Sequence, residues 1–261
     1  MRIKLFLAVL FFGITSIYAQ DDQKKPQSGD VVVEDKENSN FYYESYSDYQ
    51  ERKNKHWQGL DIGINGLSFA DGDGDVPPTG YEFLQVDYAR SFYFGVNLFE
   101  VGLQLNGELI KVVTGLGFDF NNIQLKKNYL MVSQADTMAG IEDVNRSFKN
   151  NNMKNSHITI PLLLAFNTSP KNSTSWHFAA GMIFSYRLNG KQKVQFNENN
   201  IKNTITRKSR MHQNPFRATA TVRLGYGNLH VFGNYTLTEY WESGEGPSAN
   251  LWSIGIKVLP W

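Results

Sequence analysis

The chain has 261 residues and no cysteine. Disulfide frameworks, thiolate metal sites, a cysteine nucleophile and an N-terminal lipid-modified cysteine are all excluded. Proline is scarce, with 8 residues against 22 glycines. No charge of one sign dominates: 26 Lys and Arg stand against 25 Asp and Glu, a formal net charge of +1. The basic excess of a nucleic-acid binder is missing, so no nucleic-acid partner is expected. Beyond the amino-terminal stretch, no apolar run approaches the ~18 residues that a membrane-crossing helix needs. A helical span is thereby excluded. A transmembrane barrel is not, because its strands carry apolar residues only at every second position.

Aromatic residues are abundant, at 14% (18 Phe, 13 Tyr and 5 Trp). Residues 1–19 have the layout of a secretory signal peptide. Arg2 and Lys4 begin it, Leu5 to Ile14 form an apolar stretch, and Ala19 offers a small residue before Gln20. Residues 20–55 are polar, with mixed charge and no sustained period. They are expected to form a disordered periplasmic leader, with a tyrosine-rich patch around Tyr42, Tyr43, Tyr46 and Tyr49. Residues 56–261 form the third expected unit.

In that unit the pattern becomes period two, the signature of strands whose successive side chains face opposite ways. Eight segments alternate. They carry Leu60–Ile64, Leu84–Leu98, Ile110–Phe120, Ile158–Phe166, Trp176–Tyr186, Phe216–Tyr226, Leu229–Leu237 and Trp252–Val258 on their apolar parity. A soluble sandwich also alternates. Three features favour a membrane barrel. The apolar faces approach the ~9–11 residues of a tilted spanning strand. The opposite faces are small and polar, with isolated charges, as suits a narrow lumen. Aromatics gather near the segment ends, as interfacial girdles do. Connections alternate between long and short. Long loops are expected at about 70–81, 127–156 and 189–213 and a medium one at 242–250, with tight turns near Asn106-Gly107, Ser169–Asn172 and Gly227-Asn228. The fold expected is all-β: an eight-stranded, antiparallel, closed transmembrane barrel in the cell outer membrane. Pro161 within the fourth segment calls for a bulge.

The inward charges sort by sign. Asp61, Asp87 and Asp119 fall on segments one to three, and Arg187, Arg217 and Arg223 on segments five and six. Buried charges are costly unless paired, so ion pairs across the lumen are expected. In the first long loop, Asp71, Asp73, Asp75 and Glu82 occupy positions 1, 3, 5 and 12 of a calcium loop. Val76 stands where that loop requires glycine, so an acidic flexible hairpin is the competing reading. The third long loop is basic, with Lys191, Lys193, Lys202, Arg207, Lys208 and Arg210. It suits the anionic groups of the outer leaflet, lipopolysaccharide included, or an acidic partner. Catalysis at the rim needs a serine, a histidine and a carboxylate. Ser156-His157 with Glu142 or Asp143 is the best candidate by sequence, yet no nucleophile elbow, metal-spaced histidine pair or phosphate loop appears. Neither an enzyme nor a cofactor is expected.

Thr114-Gly-Leu-Gly-Phe-Asp-Phe-Asn-Asn122, Ile158-Thr-Ile-Pro-Leu-Leu-Leu-Ala-Phe166, Asn214-Pro-Phe-Arg217 with Arg223-Leu-Gly-Tyr-Gly227, and Tyr235-Thr-Leu-Thr238 with Gly244-Glu-Gly-Pro247 resemble the PorT-like outer-membrane β-barrel family. The resemblance covers roughly Trp57 to Trp261. It implies an outer-membrane barrel of a Gram-negative bacterium, possessing no catalytic residues, with one relative associated with protein secretion. The function expected is a monomeric structural or interaction barrel of the cell envelope, serving an unidentified envelope partner. A small-solute channel and a lipid-modifying enzyme are the alternatives.

Overall fold

The computed structural model describes residues 31–34, 41–44, 56–106, 109–133, 137–168, 176–199, 201–209, 211–226 and 229–259. The chain divides into two units, Met1–Tyr49 and Gln50–Trp261. In the first, Val31–Glu34 pairs antiparallel with Phe41–Glu44. Both segments fall within the expected leader, the rest of which lies outside the described residues. Three β-branched residues, Val31 to Val33, and three aromatic ones, Phe41 to Tyr43, supply the local preference for strand. The expected signal peptide lies outside the described residues.

In the second unit eight strands form the wall: β1 (Gly59–Phe69), β2 (Phe92–Asn106), β3 (Ile110–Gln124), β4 (Phe148–Asn167), β5 (Trp176–Glu198), β6 (Phe216–Tyr226), β7 (Leu229–Thr236) and β8 (Ala249–Leu259). Each pairs antiparallel with the next, and β8 returns to β1, Ile256 opposite Ile62, closing the ring. A ninth strand, Ile201–Lys208, adds to the outer part of β5 and leaves the barrel. The short turns and the C-terminal strand end share one end with Gly59. The long loops occupy the other, which in outer-membrane barrels faces the exterior.

Parity sets the wall. Ile62, Ile64, Phe94, Ile160, Leu162, Phe184, Val222, Ile254 and Ile256 are exposed large apolar residues on the outside. Asp61, Asn65, Asn97, Asp119, Thr159, Ser185, Thr221 and Ser253 are buried within. Register shifts interrupt the alternation at several places, and two of them lie next to the lumen charges. Between Asn97 and Phe99 the β2–β3 register shifts, so Leu98 and Phe99 both face out. A second shift comes between Arg187 and Asn189 on β5. At Pro161 there is no register shift. The β3–β4 ladder breaks only from Thr114 to Gly117 and resumes in the same register, and the Thr114 hydroxyl donates to the Pro161 carbonyl at 2.9 Å. The expected bulge is thus replaced by a local gap, because proline has no N–H to give to the ladder.

Two differences from the sequence pattern concern the rim. Residues 82–84 and 88–90 are 3-10 turns, and β2 begins only at Phe92. Leu84 and Val86 face no lipid. They are buried with Leu67, Phe69, Ile123, Met131, Met153, Met211 and Trp241 in an apolar cap beneath the long loops. The second difference is that β4 and β5 continue well past the apolar band as a polar hairpin, which takes up much of the expected loops.

Candidate functional site

Strand register sets the lumen charges in one row. Lys257, Asp61, Gly95, Asp119, His157 and Arg187 stand opposite one another in turn across β8, β1, β2, β3, β4 and β5. From β6, Arg217 reaches Asp119 at 2.5 Å and Arg223 reaches Asp61 at 2.8 Å. The side chains of all four are at most 7% exposed. His157 Nδ1 bonds the other Asp119 oxygen at 2.9 Å, and the Asn97 amide donates to Asp61 at 2.9 Å. The Arg223 guanidinium also lies 4.7 Å from the Trp57 ring and 5.5 Å from that of Phe232. Each buried carboxylate therefore has a guanidinium and a further donor, which offsets part of the cost of burying the charge, while Asp61 Oδ1, Arg217 Nε and Nη1 and Arg223 Nε make no hydrogen bond among the described residues.

Of the two remaining predicted members, Asp87 stands apart. Asp87 precedes the 3-10 turn 88–90 and is half-buried, outside the lumen wall, because β2 starts later than the hydropathy pattern indicates. Arg187 is in the row, and its guanidinium donates to the backbone carbonyl of Gln213.

Below this row the lumen is stoppered at the short-turn end. His56 and Trp57, just before β1, turn inward, and Trp57 is 1% exposed among Val113, Leu163, Ala165, Ala179 and Ile183. The backbone N–H groups of Trp57 and Gln58 donate to Glu100 Oε2 at 2.7 and 3.2 Å. His56 and His177 share the side-chain oxygen of Asn167 at 3.0 and 2.9 Å. His177 stacks on His230 at 5.9 Å. Burial holds the His56 imidazole below the ordinary histidine range, against the pull of Glu100. Sequence reasoning missed this histidine cluster. Its members are far apart in the chain, and only the inward parity of positions 177 and 230 hinted at it. Above and below the row, cavities lined by Arg217 and Asp119, and by Arg223, His177 and Lys257, each measure about 10 Å³, room for about one water.

The long-loop end holds a second constellation. Ser133 ends the loop strand Tyr129–Ser133, and its hydroxyl is in hydrogen-bond contact with His212 Nε2. His212 Nδ1 meets Glu245 Oε2 at 2.5 Å. Backbone bonds stitch these loops together: Met138 N–H to the Glu245 carbonyl at 3.0 Å, and Glu242 N–H to the His212 carbonyl at 2.8 Å. Met211 and His212 both adopt positive φ, 48° and 51°, which side-chain-bearing residues seldom do. The sequence candidates for this role separate. Ser156 and His157 are neighbours on a strand and face opposite ways, with His157 turned into the lumen onto Asp119.

The acidic residues of the first loop do not converge. Glu82 accepts from the Gly80 N–H at 3.1 Å. Burial, and after it the charge of Asp75, push the Tyr88 hydroxyl up to about 12. Among the described residues, no group of three or more His, Asp or Glu side chains is placed to hold a metal ion. Asp71, Asp73, Asp75 and Glu82 therefore do not form the calcium loop that their spacing suggested; the bridge Asp73↔Val76 folds the segment into its own tight turn.

The family model for the outer membrane protein beta-barrel domain matches residues 49–238. Among solved structures, the chain is similar to Ail, the attachment invasion locus protein of Yersinia pestis. The identity is 13% and the TM-score 0.29, over 77% of this chain and 97% of that one. No curated protein matches. The chain closes an eight-stranded wall that is apolar outside and charged within, and the family model covers most of it: the protein belongs to the outer membrane protein beta-barrel domain family and resides in the cell outer membrane.

Proposed function

We propose that this barrel is a closed, monomeric interaction component of the cell envelope and conducts no solute. The observation that carries this reading is the filled lumen. It is stoppered by Trp57, crossed by Arg223–Asp61 and Arg217–Asp119, and capped by the apolar cluster under the long loops. An eight-stranded interior is just wide enough for side chains to fill. Binding then falls to the loops, the β4–β5 hairpin or the leader. Service in protein secretion or envelope biogenesis is supported by the PorT-like resemblance of the sequence. Planar-bilayer recording on the purified protein tests closure. The expected trace is flat, and steady unitary conductance would replace this reading with a small-solute channel. Crosslinking in intact cells followed by mass spectrometry identifies the envelope partner.

A second reading is favoured by Ser133, His212 and Glu245. Their contacting atoms follow the order of an activated serine, hydroxyl on Nε2 and carboxylate on Nδ1. The matching reaction is hydrolysis of an acyl ester at the outer surface. Ser133 Oγ bonds to the acyl carbon as its proton passes to His212 Nε2. The ester C–O bond breaks and the leaving alkoxide takes that proton. Water then releases the acid and restores the serine. Treatment of the folded protein with a fluorophosphonate probe decides. Labelling lost in Ser133→Ala and His212→Gln supports the enzyme, and wild-type protein left unlabelled excludes it.

A further inference from the structure

The outer wall carries a basic row that neither the lumen nor the loop cap uses. Register sets Asn122 opposite Lys154, Lys154 opposite Lys191 and Lys191 opposite Lys208, four side chains abreast across β3, β4, β5 and the added strand. Lys193, opposite Asn152, extends the row outward. Lys154 lies within electrostatic reach of both Lys191 and Lys193. Like charges directly opposite on neighbouring strands destabilise a sheet, so this face has a reason to hold an anion.

The row borders the membrane. Outward side chains along β4 run Ile160, Ile158, Ser156, Lys154, and along β5 Phe184, Tyr186, Asn189, Lys191. The cations thus follow directly where the wall turns from apolar to polar. At ~3.3 Å per residue and a tilt of ~40°, Lys154 sits on the order of 10 Å above Ile158. Lysine stems of that kind bend back to the interface while their heads stay hydrated.

The surface here is hollowed rather than flat. Two adjoining grooves of about 440 and 340 Å³ share Phe92, Asn122 and Lys154. Arg90 and Lys193 rim the first, and Lys191 rims the second, over a floor of Phe92, Phe94 and Phe120. Among the described residues, no carboxylate lines either groove. Phe92 is 54% exposed, Phe120 44% and Phe94 37%, so an apolar floor adjoins a cationic rim. This combination fits one ligand chemistry, a phosphate group carrying acyl chains.

We propose that this outer groove binds a phosphorylated lipid of the outer leaflet, its phosphate on Lys154, Lys191 and Lys193 and an acyl chain along Phe92, Phe94 and Phe120. The site lies on the wall and does not depend on whether the lumen is closed. Long-range attraction brings anionic lipid to such a patch, and the groove gives it a fixed seat.

Native mass spectrometry of the full chain in uncharged detergent tests the site. The probes are a bisphosphorylated acylated disaccharide lipid, its dephosphorylated form, and inorganic phosphate. The phosphorylated lipid is expected to stay bound, and the dephosphorylated form to bind at least roughly tenfold more weakly. The variant K154Q/K191Q/K193Q should lose roughly tenfold in retention. The variant K126Q/K127Q/R146Q, with the same charge change elsewhere, should bind as wild type. F94A/F120A should weaken the lipid and leave the weak response to inorganic phosphate unchanged. Folding is checked by heat-modifiable migration, and if the triple variant does not fold, K191Q and the salt dependence of wild-type retention replace it. Equal retention by a folded lysine variant, or by wild type at high salt, overturns the site. Displacement of the lipid by equimolar inorganic phosphate overturns the lipid assignment.

Discussion

Arg223 on β6 donates to Asp61 on β1 at 2.8 Å, joining residues 162 positions apart across the lumen. The contact ties the second half of the barrel to the first at the same level as the β8–β1 closure, since Lys257 stands opposite Asp61. Removal of one partner leaves a buried charge without its counterion, which costs about 3–5 kcal/mol, whereas replacing both by apolar residues of similar size is about neutral. Arg223→Ala and Asp61→Ala are each expected to lower the unfolding midpoint of the barrel in urea sharply. The pair Asp61→Leu with Arg223→Met should recover most of it. Two additive single losses in that cycle would refute a cross-lumen pair.

His56 predicts the acid response of the short-turn end. Its imidazole is held below its ordinary range chiefly by burial, with Lys111 and Lys257 adding to this and Glu100 opposing it. A depressed value in the folded state means that the neutral ring is the form that fits. Its contribution to stability is therefore complete above the unfolded value of about 6.5 and is lost as pH falls below it. Unfolding free energy measured from pH 8 down to pH 5 should decline for wild type. His56→Gln, which keeps an amide donor for the Asn167 oxygen, should show a shallower decline. Parallel curves for the two proteins would exclude this histidine as the cause.

Most of the wall is legible in the sequence because its physics is local. Ile158 to Phe166 and Phe216 to Tyr226 alternate without interruption, and the sign-sorting of Asp61 and Asp119 against Arg217 and Arg223 follows from parity alone. Three kinds of feature are not legible. Leu84 and Val86 alternate like a strand but serve the loop cap, since an apolar cluster can be met from a turn as well as from a strand. Asn151 to Ser156 and Asn189 to Asn197 are strands with polar residues on the outer face and few apolar ones inside, so hydropathy has little period to report. Ser133, His212 and Glu245 come from three separate loops, and nothing in their spacing anticipates the backbone bonds that bring them together. The basic row was visible only in part. Lys191, Lys193 and Lys208 stood out as loop charges, while Lys154 joined them through register.

The first loop predicts an unresponsive calcium titration. Glu82 is engaged by the Gly80 N–H, so gathering four carboxylates around one cation means breaking that contact. Proline at 77 and 78 further limits the turn. Isothermal titration with calcium to millimolar levels is expected to give only heats of dilution. A saturable heat that disappears in Asp73→Asn would show that the loop reorganises around the ion.

Gly66 predicts a steric relationship on the barrel's exterior. A Cβ at this position would lie 2.3 Å from the Tyr88 ring and 2.7 Å from the Trp252 ring. The two rings lean together at 5.5 Å over the glycine, covering a stretch of strand that has no side chain of its own. They also hold the 3-10 turn 88–90 against β1, where it brings Arg90 to the Lys149 carbonyl on β4 at 3.0 Å. Gly66→Ala should destabilise the barrel by about 1–3 kcal/mol through overpacking. Tyr88→Ala removes the cover and is also expected to destabilise. The double variant should cost less than the sum of the two, because the ring that clashes with the new methyl is gone. Urea unfolding of the four proteins in one lipid or detergent supplies the cycle, and the tryptophan fluorescence that Trp252→Phe removes from each reports locally whether this ring has been released. Strict additivity with unchanged fluorescence would mean that the ring pair does not clamp the turn.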